Sequence, residues 1–273
     1  MKLRVAALTD TGLVRTSNED AFLVAEPLFA VADGMGGHQA GEVASGTTIA
    51  TLKELADGIA SDEDPSAALV ESAKAANRAV YEKAAGDPSL LRMGTTLTAA
   101  VARDGQLSIA HVGDSRAYLF REGRLEQLTQ DHTLVAEYVR HGRMSEEEAK
   151  VHPNRSIITR ALGVEPDIVI DTVTLGIKEG DRVLLCSDGL YSMVSDEAIA
   201  EILEKVPDTA AATRELVDAA NAAGGEDNTT VLIIDVVADG SDTDQAQDRS
   251  LKSAESQGDS VSQPYETPSA PKP

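Results

Sequence analysis

The sequence predicts an α+β fold, a central antiparallel β-sandwich flanked on both sides by paired α-helices, and three observations carry that prediction. Short β-branched runs recur along the chain and end at Gly, Asp or Asn. The strings "RDGQ" and "REGR" fall between neighbouring runs and read as hairpin turns, so those strands pair antiparallel. The long Ala-rich helical stretches arrive in twos, whereas a repeated βαβ unit alternates single helices with parallel strands.

In order, strands are expected over residues 3–8, 21–25 and 28–32, followed by helices over about 38–55 and 65–84. Further strands are expected over 95–102, 107–112, 117–121, 168–175 and 182–186. A second pair of helices follows over about 195–204 and 208–222, with Asp196 and Glu197 suited to the positive N-terminal end of the first. A last strand spans 229–237, and no internal repeat is present.

The composition changes near Asp239. From there to Pro273 the only large apolar residues are Leu251, Val261 and Tyr265, too few to offset the entropy of ordering. Residues 1–238 are therefore expected to fold, and 239–273 to form a disordered, acidic, Ser/Pro-rich tail. With 42% hydrophobic residues, no Trp and 3% aromatics, the core must be built from Ala, Val, Leu and Ile. A net charge of −22 repels nucleic acid and anionic membranes, so neither is an expected partner. The opening "MKLRVAALTDTG" has too short an apolar run for a signal peptide, and no stretch is long enough to span a bilayer. The single cysteine, Cys186, excludes an internal disulfide and fits a reducing cytoplasm.

The run "LFAVADGMGGH" has the outline of a phosphate-binding strand, turn and helix, yet its mouth carries the anion Asp33. The dinucleotide pattern fails because Gln39 replaces its third glycine. Asp33 is one of several carboxylates at the ends of apolar runs. Asp114 follows "IAHVG", Asp188 follows "VLLCS", Asp227 precedes "NTTVLIIDV", and "NED" at 18–20 opens a strand. Taken singly, such Asp residues are ordinary turn formers. Their recurrence at strand ends places several carboxylates along one edge of a sheet system. Unpaired, each close pair would repel by about 4 kcal/mol at an effective dielectric near 20. Such a cluster calls for cations, and all-oxygen ligation selects Mg²⁺ or Mn²⁺ over zinc. Asp33 then holds a metal that meets the phosphate, and the sharp Gly turn leaves the Gly34 carbonyl facing a metal as well.

The ordered strings "RTSNED", "VADGMGGH", "GTTLTAA", "HVGDSRAY", "LTQDHT", "CSDGL" and "EDNTT" resemble the bacterial branch of the PP2C-type, metal-dependent protein serine/threonine phosphatases. The resemblance covers residues 5–236 and implies hydrolysis of phosphoserine and phosphothreonine in proteins by a water activated between two metals. It implies that Asp33 bridges the metals, with the Gly34 carbonyl on the second and Asp188 and Asp227 on the first. It further implies that Glu19 and Asp20 act around the metals, Glu19 through water, and that Arg15 clamps the substrate phosphate. Asp114, with Asp188, matches a third, weaker metal site, and Ser156 matches the mobile flap beside it only loosely. An inactive, phosphoprotein-binding relative would lack a metal ligand, and Asp33, Asp188 and Asp227 are all present. Expected partners are phosphorylated proteins, a Ser/Thr kinase among them, with the chain acting as a cytoplasmic monomer.

One departure concerns Met35, which stands where eukaryotic members carry a histidine thought to protonate the leaving oxygen. Water or His38 remains for that task; water is preferred because His38 opens a helix. His132 reads as a structural hydrogen-bonding residue beside the flap, and His111 as a satisfied core histidine. His152 and Arg155 fall in the flap, and Cys186 reads as simply buried.

Overall fold

A computed structural model of the chain describes residues 2–36 and 40–238. The expectations for the 239–273 tail and for His38 lie outside the described residues.

Alternation within single strands sets the layers. In β3 (Leu28–Met35) Leu28 and Ala30 point to one core cluster, and Phe29 and Val31 to another. In β10 (Arg182–Cys186) and β11 (Thr229–Val237), Val183, Leu185, Leu232 and Ile234 join that second cluster, while Leu184, Cys186, Val231 and Ile233 face a third. These strands are apolar on both faces because both faces are covered.

The sandwich has one sheet in the order β1 (Lys2–Asp10), β11, β10, β7 (Arg116–Arg121), β8 (Arg124–Gln127). The other runs β2 (Asp20–Ala25), β3, β5 (Leu97–Arg103), β6 (Gln106–Val112), β9 (Asp171–Gly176), with β4 (Gly94–Thr95) also pairing β3. All these pairs are antiparallel. Helices α1 (Ala40–Ser61) and α2 (Pro65–Gly86) cover the second sheet through Leu52, Ile59, Leu69, Ala73 and Ala76. Helices α6 (Asp196–Lys205) and α7 (Thr209–Ala222) cover the first through Ile199, Leu203, Ala212, Leu216 and Val217. The short helices α3 (Leu134–Arg140), α4 (Glu146–Lys150) and α5 (Asp188–Tyr191) lie in the connections.

The predicted sandwich with paired helices is the observed architecture. Both predicted hairpins form, with positive φ at Asp104–Gly105 and Glu122–Gly123, as tight two-residue turns require. Several details differ: β3, expected over 28–32 with a sharp turn at Gly34, runs on through Asp33 and Gly34 to Met35 because those residues pair with β2 and β4, and the short helices α3, α4 and α5 were not predicted. The strand expected from residue 168 begins at Asp171, because Ile168 and Ile170 are apolar for packing against the α1–α2 core and lie outside the ladder. Helix α1 runs to Ser61 rather than 55. The strand β8 went unpredicted because its "RLEQ" is polar and lies at a sheet edge.

Candidate functional site

The carboxylates meet where the two sheets end together. Asp20 and Asp33 are direct cross-strand partners in β2 and β3 of one sheet, a pairing that like charges disfavour. Asp188 opens α5 just after β10 of the other sheet, close enough to Asp33 for its charge to help raise the Asp33 pKa. Asp227 immediately precedes β11, and Asp114 lies in the turn that carries the chain from β6 to β7. Burial, reinforced by neighbouring carboxylates, raises the pKa of every buried member: Asp188 to about 6, Asp20 to about 7, Asp114 to about 8. Asp33 is held well above its ordinary value, first by burial and then by Asp20, Asp188, Asp114 and Asp227. Without compensating positive charge, this group resists ionisation.

At the rim, Arg15 donates to Asp227 Oδ2 at 2.7 Å. Burial opposes the Arg15 charge, but this bond and the field of Asp227, Glu19 and Asp188 raise its pKa. Glu19 is partly buried and its pKa is likewise raised by desolvation. Asp20 Oδ2 accepts from Ser187 Oγ and Thr230 Oγ1, each at 2.7 Å. Its other oxygen, Oδ1, is buried with no partner, and so is Asp114 Oδ1.

Orphaned carboxylate oxygens, crowded anions and an oxygen-only donor set fit a hard divalent cation. Among the described residues, no three acidic, imidazole or thiol groups stand together as a closed coordination shell. Asp227 is drawn toward Arg15 and Asp20 Oδ2 toward its two hydroxyls. The fit therefore rests on the chemistry of the gathered donors and on the two orphaned oxygens.

A family model described as Protein phosphatase 2C matches residues 8–229. The chain belongs to the protein phosphatase 2C family. The Mycobacterium tuberculosis serine/threonine protein phosphatase PstP is 46% identical over 241 residues, covering 86% of this chain and 45% of its own length. This chain thus spans less than half of that curated relative. The Listeria monocytogenes serine/threonine phosphatase stp is 40% identical over 235 residues, covering 83% of this chain and 93% of its own. A crystal structure of the M. tuberculosis phosphatase PstP/Ppp superposes with a TM-score of 0.82 at 44% identity, covering 86% of this chain and 99% of that one. The PstP catalytic domain in complex with two manganese ions superposes with a TM-score of 0.80 at 43% identity, over 86% and 99% of the two chains.

In this phosphatase 2C chain the acids rest on neighbours that the sequence reading assigned no role. Asn228 donates to the carbonyls of Thr11 and Ser17 at 3.0 and 2.9 Å and accepts from the Glu19 N–H at 2.8 Å. It thereby holds the loop bearing Arg15 and Glu19 against Asp227. Thr96 Oγ1 accepts from the Asp33 N–H at 2.9 Å and bonds Ser115 Oγ at 2.6 Å, linking the Asp33 strand to the Asp114 turn. Tyr191 donates to the Asp114 carbonyl at 3.0 Å; the guanidinium of Arg116 stacks 3.6 Å from its ring centroid and pairs with Asp131. Asn228, Ser115 and Ser187 are neighbours of the quoted acids, so their positions were visible, but their long-range partners were not.

His111 and His132 take the structural roles expected of them. Buried His111 bonds Thr98 and the Gln130 carbonyl, and burial lowers its pKa to about 4. His132 Nδ1 accepts from the Gly113 N–H at 3.0 Å, and its Nε2 lies 3.1 Å from Asp171. Cys186 is buried, and Arg155 and Ser156 are exposed between α4 and β9. Met35 ends β3, where no side-chain proton is on offer.

Proposed function

We propose that this chain is a metal-dependent protein serine/threonine phosphatase that hydrolyses phosphoserine and phosphothreonine in proteins. The observation that carries the reading is the convergence of carboxylates from both sheets, two of their oxygens buried without partners, beside a half-exposed arginine. The activities named for PstP and for Listeria stp support it, as do the two manganese ions bound by the PstP catalytic domain.

In this reading Asp33, the Gly34 carbonyl, Asp188 and Asp227 hold two Mn²⁺ or Mg²⁺ ions, and Asp20 stands beside them. Asp114, with Asp188, serves a third and weaker ion. When bound, the ions neutralise the carboxylates and bring a water close to ionisation near neutral pH. Arg15 turns its planar fork of donors to the phosphate oxygens and stabilises the charge that develops on them. Glu19, its pKa raised by desolvation, accepts a hydrogen bond from ordered water at the rim. Met35 carries no acidic proton, and solvent is preferred over His38 as the donor to the leaving oxygen.

The substrates are phosphorylated proteins, including a Ser/Thr kinase that the enzyme opposes, and the chain works as a cytoplasmic monomer. No helix among the described residues is long and apolar enough to cross a membrane. The test is hydrolysis of phosphothreonine peptides with manganese, with magnesium and with excess chelator. Chelation should abolish turnover and either ion restore it; undiminished turnover in chelator would sink the reading.

A further inference from the structure

Gly41 is the second residue of α1, and its missing side chain leaves a space that two oxygen groups share. A Cβ placed there would lie 2.6 Å from both Cδ and Oε2 of Glu19, and 2.8 Å from the Gly34 carbonyl oxygen. The approach is mutual, since a Cβ on Gly34 would lie 2.1 Å from the Gly41 carbonyl oxygen. A carboxylate from the loop before β2 and a carbonyl from β3 therefore converge at one place on the first turn of α1. The same helix carries Gly46 and Gly58, where an added Cβ meets nothing within 4 Å. Glycine inside a helix costs up to about 1 kcal/mol relative to alanine. At Gly41 the contacts supply a physical reason for that cost; at Gly46 and Gly58 they supply none.

We propose that Gly41 is a positioning residue, whose lack of a Cβ sets the Glu19 carboxylate beside the Gly34 carbonyl and so shapes that half of the divalent-metal centre. The inference rests on the metal-dependent reading above. Its logic is steric. The atoms a Cβ would strike first are the far end of the Glu19 side chain, which can swing away without unfolding the helix; the Gly34 carbonyl, met less closely at 2.8 Å, must then give by a few tenths of an ångström. The carboxylate would then leave its place beside the Gly34 carbonyl, and residues that orient a metal site typically govern affinity by about 10–100-fold.

The experiment is calorimetric titration of Mn²⁺ into the chelator-stripped full chain, with thermal melts of the same samples. It compares wild type, Gly41→Ala, Gly46→Ala, Glu19→Ala and the Glu19→Ala/Gly41→Ala double variant. Gly46→Ala should bind Mn²⁺ as wild type does and melt slightly higher, as a helical Gly→Ala change should. Gly41→Ala should weaken one ion by at least about tenfold without a lower metal-free melting temperature. In the Glu19→Ala background the same change should alter affinity by no more than about twofold, because the displaced carboxylate is already gone. Wild-type Mn²⁺ affinity in Gly41→Ala overturns the proposal, as does a loss that persists undiminished without Glu19. Should Gly41→Ala fail to fold, the double variant must fold and match Glu19→Ala; its failure too would place the strain in the backbone and overturn the proposal. A wild-type chain that takes up no Mn²⁺ defeats the metal-dependent reading itself, a result distinct from a normal wild type with an unaffected Gly41→Ala.

Discussion

Arg15 sits at the rim with 52% of its side chain exposed, paired to an Asp227 that is 35% exposed. An ion pair so open to water adds little stability, so its importance is geometric: a guanidinium held at the mouth of the acidic cluster. Replacing Arg15 by Lys keeps the charge and loses the fork. The expected result is a KM for phosphothreonine peptide raised by about tenfold, the worth of one charge-assisted bond, with Mn²⁺ binding and melting temperature unchanged. Steady-state kinetics on the variant decides it; a wild-type KM would mean that charge alone suffices. The buried carboxylates make a pH prediction. Their folded pKa values lie above the unfolded value, so the native state holds more protons and metal-free stability falls as pH rises through those values. His111 acts oppositely, its lowered pKa costing stability only as pH falls below about 6.5. Between pH 6.5 and 8 the carboxylates act alone, led by Asp20 at about 7 and Asp114 at about 8. Melts in chelator should therefore drop across this window. Added Mn²⁺ should raise the melting temperature most at the alkaline end, and Asp20→Asn should flatten the decline.

Among the elements, the loop from Thr11 to Glu19 has no regular ladder of its own and is held by the side chain of Asn228. Asn228→Ala removes three hydrogen bonds from a buried position, each with a net value of about 0.5–1.5 kcal/mol. The variant should melt lower and show a raised phosphopeptide KM, since both Arg15 and Glu19 ride on that loop. A lowered melting temperature with an unchanged KM would confine Asn228 to a structural role. Helices α6 and α7 illustrate local legibility. Ser195 and Asp208 cap them through the Ala198 and Ala211 N–H groups, the signals their sequences display. The helix α4 carries an equally plain capping box at Ser145 and Glu148, yet it is only five residues long, too short for periodicity to reveal. Ile168 and Ile170 show the opposite failure: an apolar alternation that signals burial without a ladder.

At the scale of the molecule, the two sheets press Phe29, Val31, Leu185, Leu232 and Ile234 together, and the acidic edge is where that shared core ends. Leu232 is fully buried and aliphatic, so Leu232→Ala should cost about 2–5 kcal/mol in urea unfolding. Metal stoichiometry under folding conditions should not change, because Leu232 belongs to the apolar cluster between the sheets, which includes no proposed site residue; loss of ions at full folding would show that core and site are coupled. The antiparallel class, the two hairpins, the paired helices and the strand-end carboxylates were all legible, because each depends on spacing within a dozen residues. Alternation of period two settles which way a side chain faces, and Asp-Gly marks the strand ends at Asp104 and Asp188, but at Asp33 the ladder of β3 carries on through Gly34 to Met35. Only the tertiary structure decided that Asp20 lies opposite Asp33, that Asp33 and Asp188 meet from two different sheets, and that one oxygen each of Asp20 and Asp114 is left without a partner. Those relations join residues far apart in the chain. They follow from sheet register and from how closely two layers pack, quantities that no local pattern of residues encodes.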